Sequence, residues 1–580
     1  MKKFYYLIMV FCVLFAACKP DIPTPPDPPS PVDSDSIIVD TVVPLTIVDT
    51  VAMMYPPHLY TVPSYTKLCV AMQKCRNNMT EDNIQAMLNQ TAELVGKEEP
   101  YCMVATINGD PRTRMGFCWF TNDSITDGVV QLIADSTATE ADFEAGNGVM
   151  TCEANATQTK ALRYCGICKY IVLNSGIAKG QKYKYISHKA TATQLTPGTA
   201  YSWRCGYPGH WSEIAHFRTE DASQGEFSFI YMSDAHIMNP EYINYARRCA
   251  IAAAKTVPEA RFCVFPGDFV EDGTVANSEW EWERWFEEAM QPVIMKMPFA
   301  PTDGNHDDSQ NINYTYHFNT DNEFNILVTR KPQFEGIVYS FVYGDALFLV
   351  FSMQDFWRED YSYTNKTSEY LTDHISPWFR EQVRQHPNTN YRFSLAHFNL
   401  FSGSDHSTDE EPPLFRACML PTMKACEIDV ALQGHDHTYE VIGPVDPDSI
   451  KPIMSAITDR EVVPVDDNKN RTGYKGGTYR TDDGTLYFIG ATCGRKRYYP
   501  HSRERMESDY ESGKHDVPNY FDLFTGMFGQ PEAPSFTKIT VKDNCIEFNS
   551  YTADDDEGNS TLFNTMRIVR TKAHSVPSAN

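Results

Sequence analysis

The sequence has few basic residues for its length. It contains 50 Lys and Arg against 76 Asp and Glu, so its formal net charge is −26 at pH 7 over 580 residues. A protein that binds DNA or RNA in bulk needs a cationic field, so this balance argues against nucleic acid as a partner. It does not argue against small phosphate substrates, because bound divalent ions reverse the local potential whatever charge the surface carries.

The apolar run near the N-terminus is too short to favour a membrane-spanning helix. Residues Phe4–Ala17 follow two lysines, a pattern that is typical of a signal peptide over residues 1–17. Small residues precede Cys18, which resembles a bacterial lipoprotein cleavage site, and Cys18 would then be lipidated; ordinary cleavage near Ala17 is the alternative. Residues 18–50 are rich in Pro and Asp and should form an extended tether. We therefore expect an exported, membrane-anchored lipoprotein, either periplasmic or at the cell surface.

The cysteines do not form a recognisable metal or redox framework. Fourteen of the 16 lie beyond the signal segment and its end, and export would permit disulfides among them. Cys69 with Cys75, and Cys165 with Cys168, are close enough in sequence to pair locally. Cys165-Gly-Ile-Cys168 also fits a redox or zinc motif, but no second CxxC or His pair accompanies it, so we interpret it as structural.

Five short motifs rich in Asp and His occur in a fixed order, and each follows an apolar run that predicts a buried strand. They are Asp234-Ala-His236, Gly267-Asp268, Gly304-Asn305-His306-Asp307, the lone His397 and Gly434-His435-Asp-His437. The runs alternate with helical stretches, which predicts a largely parallel α/β sheet whose functional groups gather at the carboxyl ends of its strands. Two Asp, one Asn and four His would therefore meet at one edge.

This donor set predicts a metal site. Carboxylate, amide and imidazole groups together suit zinc, manganese or iron better than calcium, which prefers oxygen ligands alone. Seven side chains are too many for one tetrahedral ion, but they fit two ions that share one carboxylate. Two such ions can generate hydroxide at neutral pH and clamp the attacking and leaving oxygens of a phosphoryl transfer. His306, next to Asn305, is placed to protonate a leaving alkoxide.

Each motif by itself also has a structural explanation. His397 could be a hydrogen-bonded core histidine, and Asp268 could be an ordinary turn residue. Asp234 and Asn305 could cap the helices that follow them. Five such coincidences together with four matching histidines are improbable, which favours the metal site.

In this order, the motifs resemble those of the calcineurin-like metallophosphoesterases, by motif over residues 227–439 and by extension to about Thr571. The resemblance implies a two-sheet α/β sandwich over residues 223–575. It also implies a role for each ligand: Asp234, His236 and His437 would hold the first metal, Asp268 would bridge, and Asn305, His397 and His435 would hold the second. His306 would be the general acid that also contacts phosphate.

Upstream of these motifs, residues 100–222 show short alternating strands separated by turns, which predicts an all-β sandwich. The segment LTPGTAYSWRCGY, followed by HWSEIAHFRT, resembles the fibronectin III-like N-terminal domain of purple acid phosphatases. We interpret Tyr201 and Trp203 as core of this sandwich. Residues 51–99 are partly helical by pattern, over 81–99, and receive no function.

The motifs depart from purple acid phosphatases in two places. That family has Gly where His236 stands, and where Glu271 stands it has the Tyr that ligates ferric iron, so we expect no purple charge-transfer band. In protein Ser/Thr phosphatases, an Asp at the position of Glu271 orients the catalytic His. Glu271 would then accept a hydrogen bond from His306 and raise its basicity, unless it is only an exposed acidic residue. Protein Ser/Thr phosphatases also bind phosphate through two Arg residues. The corresponding positions here are Asp272 and Asp303, which argues against a dedicated phosphoprotein phosphatase.

Two further segments are candidates for contact with the substrate. His406 lies nine residues beyond His397, about where purple acid phosphatases place a phosphate-contacting His; in a loop rich in Gly, Ser and Asp, it could instead be solvated. The run Arg495-Lys496-Arg497-Tyr498 could line the entrance and steer anions, although such runs are more often a solvated face.

Together these features predict an exported dinuclear phosphoric ester hydrolase that acts on a small phosphate ester. It would use two divalent or trivalent ions (Fe, Mn or Zn), a bridging hydroxide as nucleophile and His306 as general acid. The domain like that of acid phosphatases favours a monoesterase. The alternatives are a phosphodiesterase at the same site and a non-catalytic surface binding protein, and the complete ligand set argues against the latter.

Overall fold

The computed structural model describes most of the chain after residue 80. The described ranges are 80–92, 98–161, 183–221, 225–271, 279–308, 313–321, 336–354, 365–466 and 469–577, together with positions 71, 74 and 78. The predicted signal peptide, Cys18 and the tether lie outside them, as do Asp272 and the two local cysteine pairs. Within these ranges, no helix has the length and apolar character needed to cross a membrane.

The N-terminal part, up to residue 218, is built mainly of short strands. Its elements are α1 (Glu81–Ala92), β1 (Tyr101–Thr106), β2 (Met115–Asn122), β3 (Val129–Ile133), α2 (Glu140–Ala145), β4 (Met150–Glu153), β5 (Asn155–Ala161), β6 (Tyr183–Ala192), β7 (Ala200–Tyr207), β8 (His210–Trp211) and β9 (Ala215–Arg218). A turn at Pro197 and Gly198 separates β6 from β7. Over the described part of residues 100–222, the all-β prediction is confirmed, apart from the short helix α2.

Strands and helices alternate through the following region. They are β10 (Phe227–Tyr231), α3 (Pro240–Thr256), β11 (Cys263–Pro266), α4 (Glu279–Arg284), α5 (Gln291–Ile294), β12 (Phe299–Thr302), α6 (Asn305–Asp308), α7 (Asn313–His317), β13 (Tyr339–Tyr343), β14 (Ala346–Val350), α8 (Asn365–Glu369), α9 (Ser376–Gln385), β15 (Tyr391–Leu395), α10 (Glu411–Ala425) and β16 (Val430–Gln433). The five strands predicted before the motifs are β10, β11, β12, β15 and β16. The sequence pattern therefore located each of them correctly.

The remainder is largely antiparallel strand. It comprises β17 (Tyr439–Asp446), β18 (Lys451–Pro452), β19 (Ile457–Val462), β20 (Tyr474–Arg480), β21 (Thr485–Gly490), α11 (Arg503–Glu511), β22 (Phe524–Gly529), β23 (Ser535–Lys542), β24 (Cys545–Ala553) and β25 (Ser560–Val569). Of these strands, β21 joins one large sheet, whereas β23, β24 and β25 join the other.

Three sheets result. A twelve-stranded sheet has the order β19-β20-β25-β24-β23-β10-β11-β12-β1-β2-β6-β5, and an eight-stranded sheet has the order β13-β14-β15-β16-β21-β17-β18 with β22 on β17. A five-stranded sheet has the order β4-β3-β7-β8 with β9 on β7. Parallel pairing joins β10, β11 and β12 in the first sheet, and β14, β15, β16 and β21 in the second. The two-sheet α/β architecture is therefore confirmed.

Aromatic packing holds the two large sheets together. Phe229 on β10 contacts Phe348 and Phe393 of the facing sheet edge-on, at ring-centroid distances of 5.4 and 5.8 Å. Phe262, just before β11, meets Phe348 in the same way at 5.5 Å. Each such pair contributes about 0.5–1.5 kcal/mol beyond its buried area. This layer fixes how the carboxyl ends of β10 and β11 face those of β15 and β16.

One sheet of the N-terminal sandwich continues into the region that carries the five motifs. β1 pairs in parallel with β12, with Thr106 in register with Phe299, so the twelve-stranded sheet crosses the predicted boundary between the two regions. Trp203 and Tyr201 on β7 are buried, and Trp203 contacts Phe117 of β2 at 4.8 Å between ring centroids. Their interpretation as core residues is confirmed.

No disulfide joins the ten cysteines that the described ranges contain. Nine of them are buried, and burial raises the pKa of the Cys118 thiol to about 11 and that of Cys426 to about 12. A thiol with a raised pKa is rarely ionised at neutral pH and is therefore unreactive. These cysteines act as small apolar core residues.

Candidate metal centre

The five motifs lie together at one end of the sandwich, where the carboxyl ends of strands from two sheets meet. Asp234 and His236 follow β10, Asp268 follows β11, Asn305 and His306 follow β12, His397 follows β15, and His435 and His437 follow β16. The expected single edge is therefore one end of a two-sheet sandwich, with three motifs from one sheet and two from the other. Sequence alone could not show this, because each motif follows a parallel strand whichever sheet that strand joins.

The backbone that carries the motifs is unusual. Four of the seven candidate ligands have positive φ angles: Asp234 (60°), His236 (48°), Asp268 (52°) and His435 (69°). Because β10 ends at Tyr231, Asp234 and His236 lie beyond the strand, and strand alternation does not determine which way their side chains point. The left-handed conformation costs about 1–2 kcal/mol at each such residue. Strain of this kind persists where the surrounding structure enforces it, which is common at functional sites.

Glycines in the motifs allow the loops to touch. A Cβ atom on Gly304 would lie 2.2 Å from Oδ1 of Asp268, and one on Gly434 would lie 2.5 Å from Oγ of Ser233. Any larger residue would push the loops apart. The glycines are therefore part of the site, although the sequence analysis used them only as markers of the motifs.

The first group of ligand atoms surrounds one oxygen of Asp268. Its Oδ2 lies 3.2 Å from Nε2 of His236. That nitrogen lies 2.9 Å from Nε2 of His437, which in turn is 3.4 Å from Oδ1 of Asp234. All four side chains are buried.

The second group shares the same carboxylate. Nε2 of His397 lies 3.3 Å from Oδ2 of Asp268, 2.9 Å from Oδ1 of Asn305 and 3.2 Å from Nδ1 of His435. The structure thus brings all seven predicted ligands together, in two sets of four that have Asp268 in common.

The spacing of these atoms fits bound ions. Ligands about 2.0–2.2 Å from one metal ion lie about 3.0–3.4 Å from each other, close to the observed separations. Oδ2 of Asp234 and Nδ1 of His437 are buried and have no hydrogen-bond partner among the described residues. The buried His and Asp cluster therefore suggests a dinuclear metal site.

The electrostatics of the site also favour cations. Burial acts to lower the pKa of His397 and His236, but the carboxylate of Asp268, with other charges, raises both to about 9. Burial acts in turn to raise the pKa of Asp268, yet His397, His306 and His236 hold it well below its ordinary value. Asp268 is thus an anion that attracts positive charge on both sides, as a bridging ligand must.

A second layer of hydrogen bonds fixes the ligands. Nδ1 of His397 donates to the carbonyl oxygen of Pro266 at 2.7 Å, so its Nε2 is left to bind metal. The carboxylate of Asp307 accepts from four backbone N–H groups, those of Asp268, Phe269, Val270 and Gly304, at 2.7–3.3 Å. Asp307 therefore clamps two motif loops together. The place of Asp307 in its motif does not by itself indicate this role.

The Glu271 side chain does not accept the hydrogen bond that was expected from His306. Its carboxylate accepts from Nδ1 of His236 at 2.6 Å and lies 3.9 Å from Nδ1 of His306. His306 donates instead to the backbone carbonyl of Glu271, at 2.7 Å. The side chain therefore orients a candidate metal ligand, while the main chain orients the candidate acid. Only the folded loop after Asp268 shows which of the two groups faces which histidine.

The electrostatic surroundings of His306 favour its neutral form. Burial lowers its pKa to about 4, although the carboxylates of Asp268 and Glu271 act to raise it. Since Nδ1 donates to a carbonyl, Nε2 is the nitrogen that can exchange a proton with a substrate.

His406 lies beside the second group of ligands. Its ring stacks on that of His435 at 3.7 Å between centroids, and Nδ1 donates to Asp409 at 2.6 Å. The side chain is 16% exposed, so the solvated alternative does not hold. Asp303, by contrast, is buried and accepts hydrogen bonds from Ser352 and Gln354, a structural role.

Part of the basic run near residue 496 also reaches the site. The ring of Tyr498 stacks on His437 at 4.4 Å, almost parallel to it. Lys496 lies 3.8 Å from the Glu271 carboxylate. Two of the four candidate residues therefore border the ligand cluster, and the run is not simply a solvated face.

Comparisons with known proteins divide the chain at the same place. Residues 100–219 match the family model for the purple acid phosphatase N-terminal domain, and residues 227–439 match that for calcineurin-like phosphoesterases. A curated protein from Danio rerio, acid phosphatase type 7, is 23% identical over 291 residues, which are 46% of this chain. The match spans only 60% of the length of that relative.

A solved structure shares the fold. A purple acid phosphatase from yellow lupin seeds superimposes with a TM-score of 0.54 at 14% identity, over 81% of this chain and 74% of the lupin chain. At this level of identity the likeness concerns the arrangement of the chain and not its chemistry.

Asp268→Asn should weaken the binding of the two metal ions. An amide keeps the shape of the side chain but cannot supply an anionic oxygen to two ions at once. We expect the wild-type protein to retain about two equivalents of zinc, manganese or iron after dialysis, and the variant to retain clearly fewer, as measured by elemental mass spectrometry.

Asp373→Asn, which changes an exposed aspartate away from the site, is the matched control and should bind metal as the wild type does. If the folded Asp268→Asn protein kept both ions, Asp268 would not be a bridging ligand.

Proposed function

We propose that this protein is a dinuclear metal-dependent phosphoric ester hydrolase. The proposal is supported by the matches of its two regions to the purple acid phosphatase N-terminal domain and to calcineurin-like phosphoesterases. Within that class we propose a phosphomonoesterase. The observation that carries the proposal is the pair of ligand sets sharing Asp268, with His306 beside them. Ions bound there would lower the pKa of a coordinated water and neutralise charge on the phosphoryl oxygens. Zinc, manganese and iron all suit the donor set.

The protein's own residues would prepare the site for this chemistry. Asp268 holds the two ligand sets at a fixed separation, and Asp307 prevents the loops that carry Asp268 and Asn305 from moving apart. Glu271 keeps Nε2 of His236 directed at the ligand cluster. Because these groups are oriented before substrate binds, little reorganisation accompanies the reaction.

His306 would deliver the proton that the leaving alcohol needs. Its Nδ1 is engaged by the Glu271 carbonyl, so protonated Nε2 is the donor. Burial disfavours the imidazolium, but the negative charge of a bound phosphate stabilises it. His406, stacked on His435, would contact the phosphate from the other side of the cluster.

The strained backbone supports an enzyme over a binding protein that has lost catalysis. Four ligand positions adopt costly positive φ angles, and they bring the ligand atoms together. A binding protein that used only the sandwich would gain nothing from this strain. The same site could also cleave diesters, so phosphodiesterase activity remains the alternative to test.

The function is tested by assaying p-nitrophenyl phosphate and bis-p-nitrophenyl phosphate with Zn, Mn or Fe supplied. We expect turnover of the monoester, with Asp268→Asn reduced at least about 10³-fold because the ions are lost. Preferential turnover of the diester would move the assignment to a phosphodiesterase. Two bound ions without turnover of either ester would contradict a broad esterase.

His306→Ala should slow poor leaving groups more than good ones. p-Nitrophenolate leaves without a proton, whereas the phenolate of phenyl phosphate, like that of Tyr with a pKa near 10, needs one. We expect a loss of about 10²-fold or more for phenyl phosphate and a much smaller loss for p-nitrophenyl phosphate. Equal losses for the two esters in steady-state assays would assign His306 to phosphate binding alone.

We also propose export and anchoring through a lipid on Cys18, which lies outside the described residues. The proposal is supported by the apolar run Phe4–Ala17 and the small residues before Cys18. The full-length protein should partition with membranes and into detergent, and Cys18→Ser should release it to the soluble fraction. A wild-type protein that is soluble without detergent would contradict anchoring.

A further inference from the structure

The segment from Arg495 to Tyr498 presents alternate side chains to opposite sides. Nε of Arg495 donates to Glu241 at 2.7 Å, and the Arg497 guanidinium lies over the ring of Tyr245 at 5.6 Å, so both arginines face α3. Lys496 and Tyr498 face the ligand cluster, through Glu271 and His437 respectively. Of the three basic side chains in this run, that of Lys496 therefore faces the site.

Two contacts locate the ammonium group of Lys496. It lies 3.8 Å from Oε1 of Glu271 and 5.9 Å from the ring centroid of Tyr498, which stacks on His437. The other Glu271 oxygen reaches His236 at 2.6 Å and His306 at 3.9 Å. The ammonium is thus on the side of the cluster where the candidate acid lies.

The pair between Lys496 and Glu271 is longer than a hydrogen bond. The Lys496 side chain is 21% exposed, so it is only partly desolvated. A cation in this position would act on an anion bound at the same place.

We propose that Lys496 binds a phosphoryl oxygen of the substrate and makes the site selective for dianionic phosphate monoesters over monoanionic diesters. This inference rests on the proposed function and specifies its substrate class. A monoester carries close to two negative charges at neutral pH and three terminal oxygens, whereas a diester carries one charge and two such oxygens. The Lys496 ammonium, beside the two metal ions, would contact the additional oxygen that only the monoester has.

The competing explanation is structural: Lys496 would only balance the charge of Glu271 and so help to hold His236. The two explanations differ in what they predict. A structural role acts through the metal ligands, so its loss would lower metal content and slow both classes of ester alike. A phosphate-binding role leaves the ions in place and affects the dianion selectively.

The test uses Lys496→Met, which keeps the length of the aliphatic chain, and Lys496→Arg, which keeps the charge. Lys514→Met is the matched control, because that lysine is exposed and pairs with Asp509 away from the site. Metal content is measured first. Then kcat/KM is determined for p-nitrophenyl phosphate and bis-p-nitrophenyl phosphate, and binding of inorganic phosphate to the metal-loaded protein is measured by calorimetry.

We expect Lys496→Met to retain both ions and to lose about 10²-fold in kcat/KM for the monoester, with a loss below about threefold for the diester. Phosphate should bind about tenfold more weakly or worse. Lys496→Arg should recover most of both losses, and Lys514→Met should match the wild type.

Equal losses for the two esters, or loss of metal, would overturn the inference in favour of the structural explanation. The calorimetric measurement separates this inference from the proposed function. If the wild type hydrolyses neither ester, the function fails, but weaker phosphate binding in Lys496→Met still supports the contact. Unchanged phosphate binding in that variant overturns it.

Discussion

The buried carboxylate of Asp268 is the constraint on which the site depends. An anion enclosed between two sheets is costly unless positive charge meets it, and here two histidines lie within 3.3 Å of the same oxygen. Both belong to candidate metal-binding sets, so the need to neutralise Asp268 and the capacity to bind two ions are the same property. The proposed chemistry follows from this arrangement, because a shared carboxylate would hold two bound ions close together.

The rest of the region that carries the motifs offsets the strain in the ligand loops. The ligand loops carry positive φ angles and approach so closely that only glycine fits at Gly304 and Gly434. Cross-sheet aromatic contacts and the four backbone hydrogen bonds to Asp307 supply the opposing stabilisation. The N-terminal sandwich contributes through β1, which extends the sheet beside β12 and so supports the strand that leads to Asn305 and His306.

The outer part of the site is assembled from segments far apart in the sequence. His406 reaches the second ligand set from the loop after β15, while Tyr498 and Lys496 reach the first set from the segment after β21. In the proposed function, the inner ligands would bind the metal ions and would therefore suit any phosphate ester. Discrimination among esters would then come from this outer layer, where the ammonium of Lys496 would favour a dianion over a monoanion.

The sequence by itself determined the ligand set and the strands that carry it, because apolar runs ending in Asp, Asn or His are local patterns. It also determined the sandwich strands and the buried Trp203. Only the tertiary structure decided that two sheets share the site, that Glu271 turns its carboxylate to His236, and that Lys496 faces inward while Arg495 and Arg497 do not. These are contacts between residues distant in sequence, and they depend on loop conformations that no local pattern specifies.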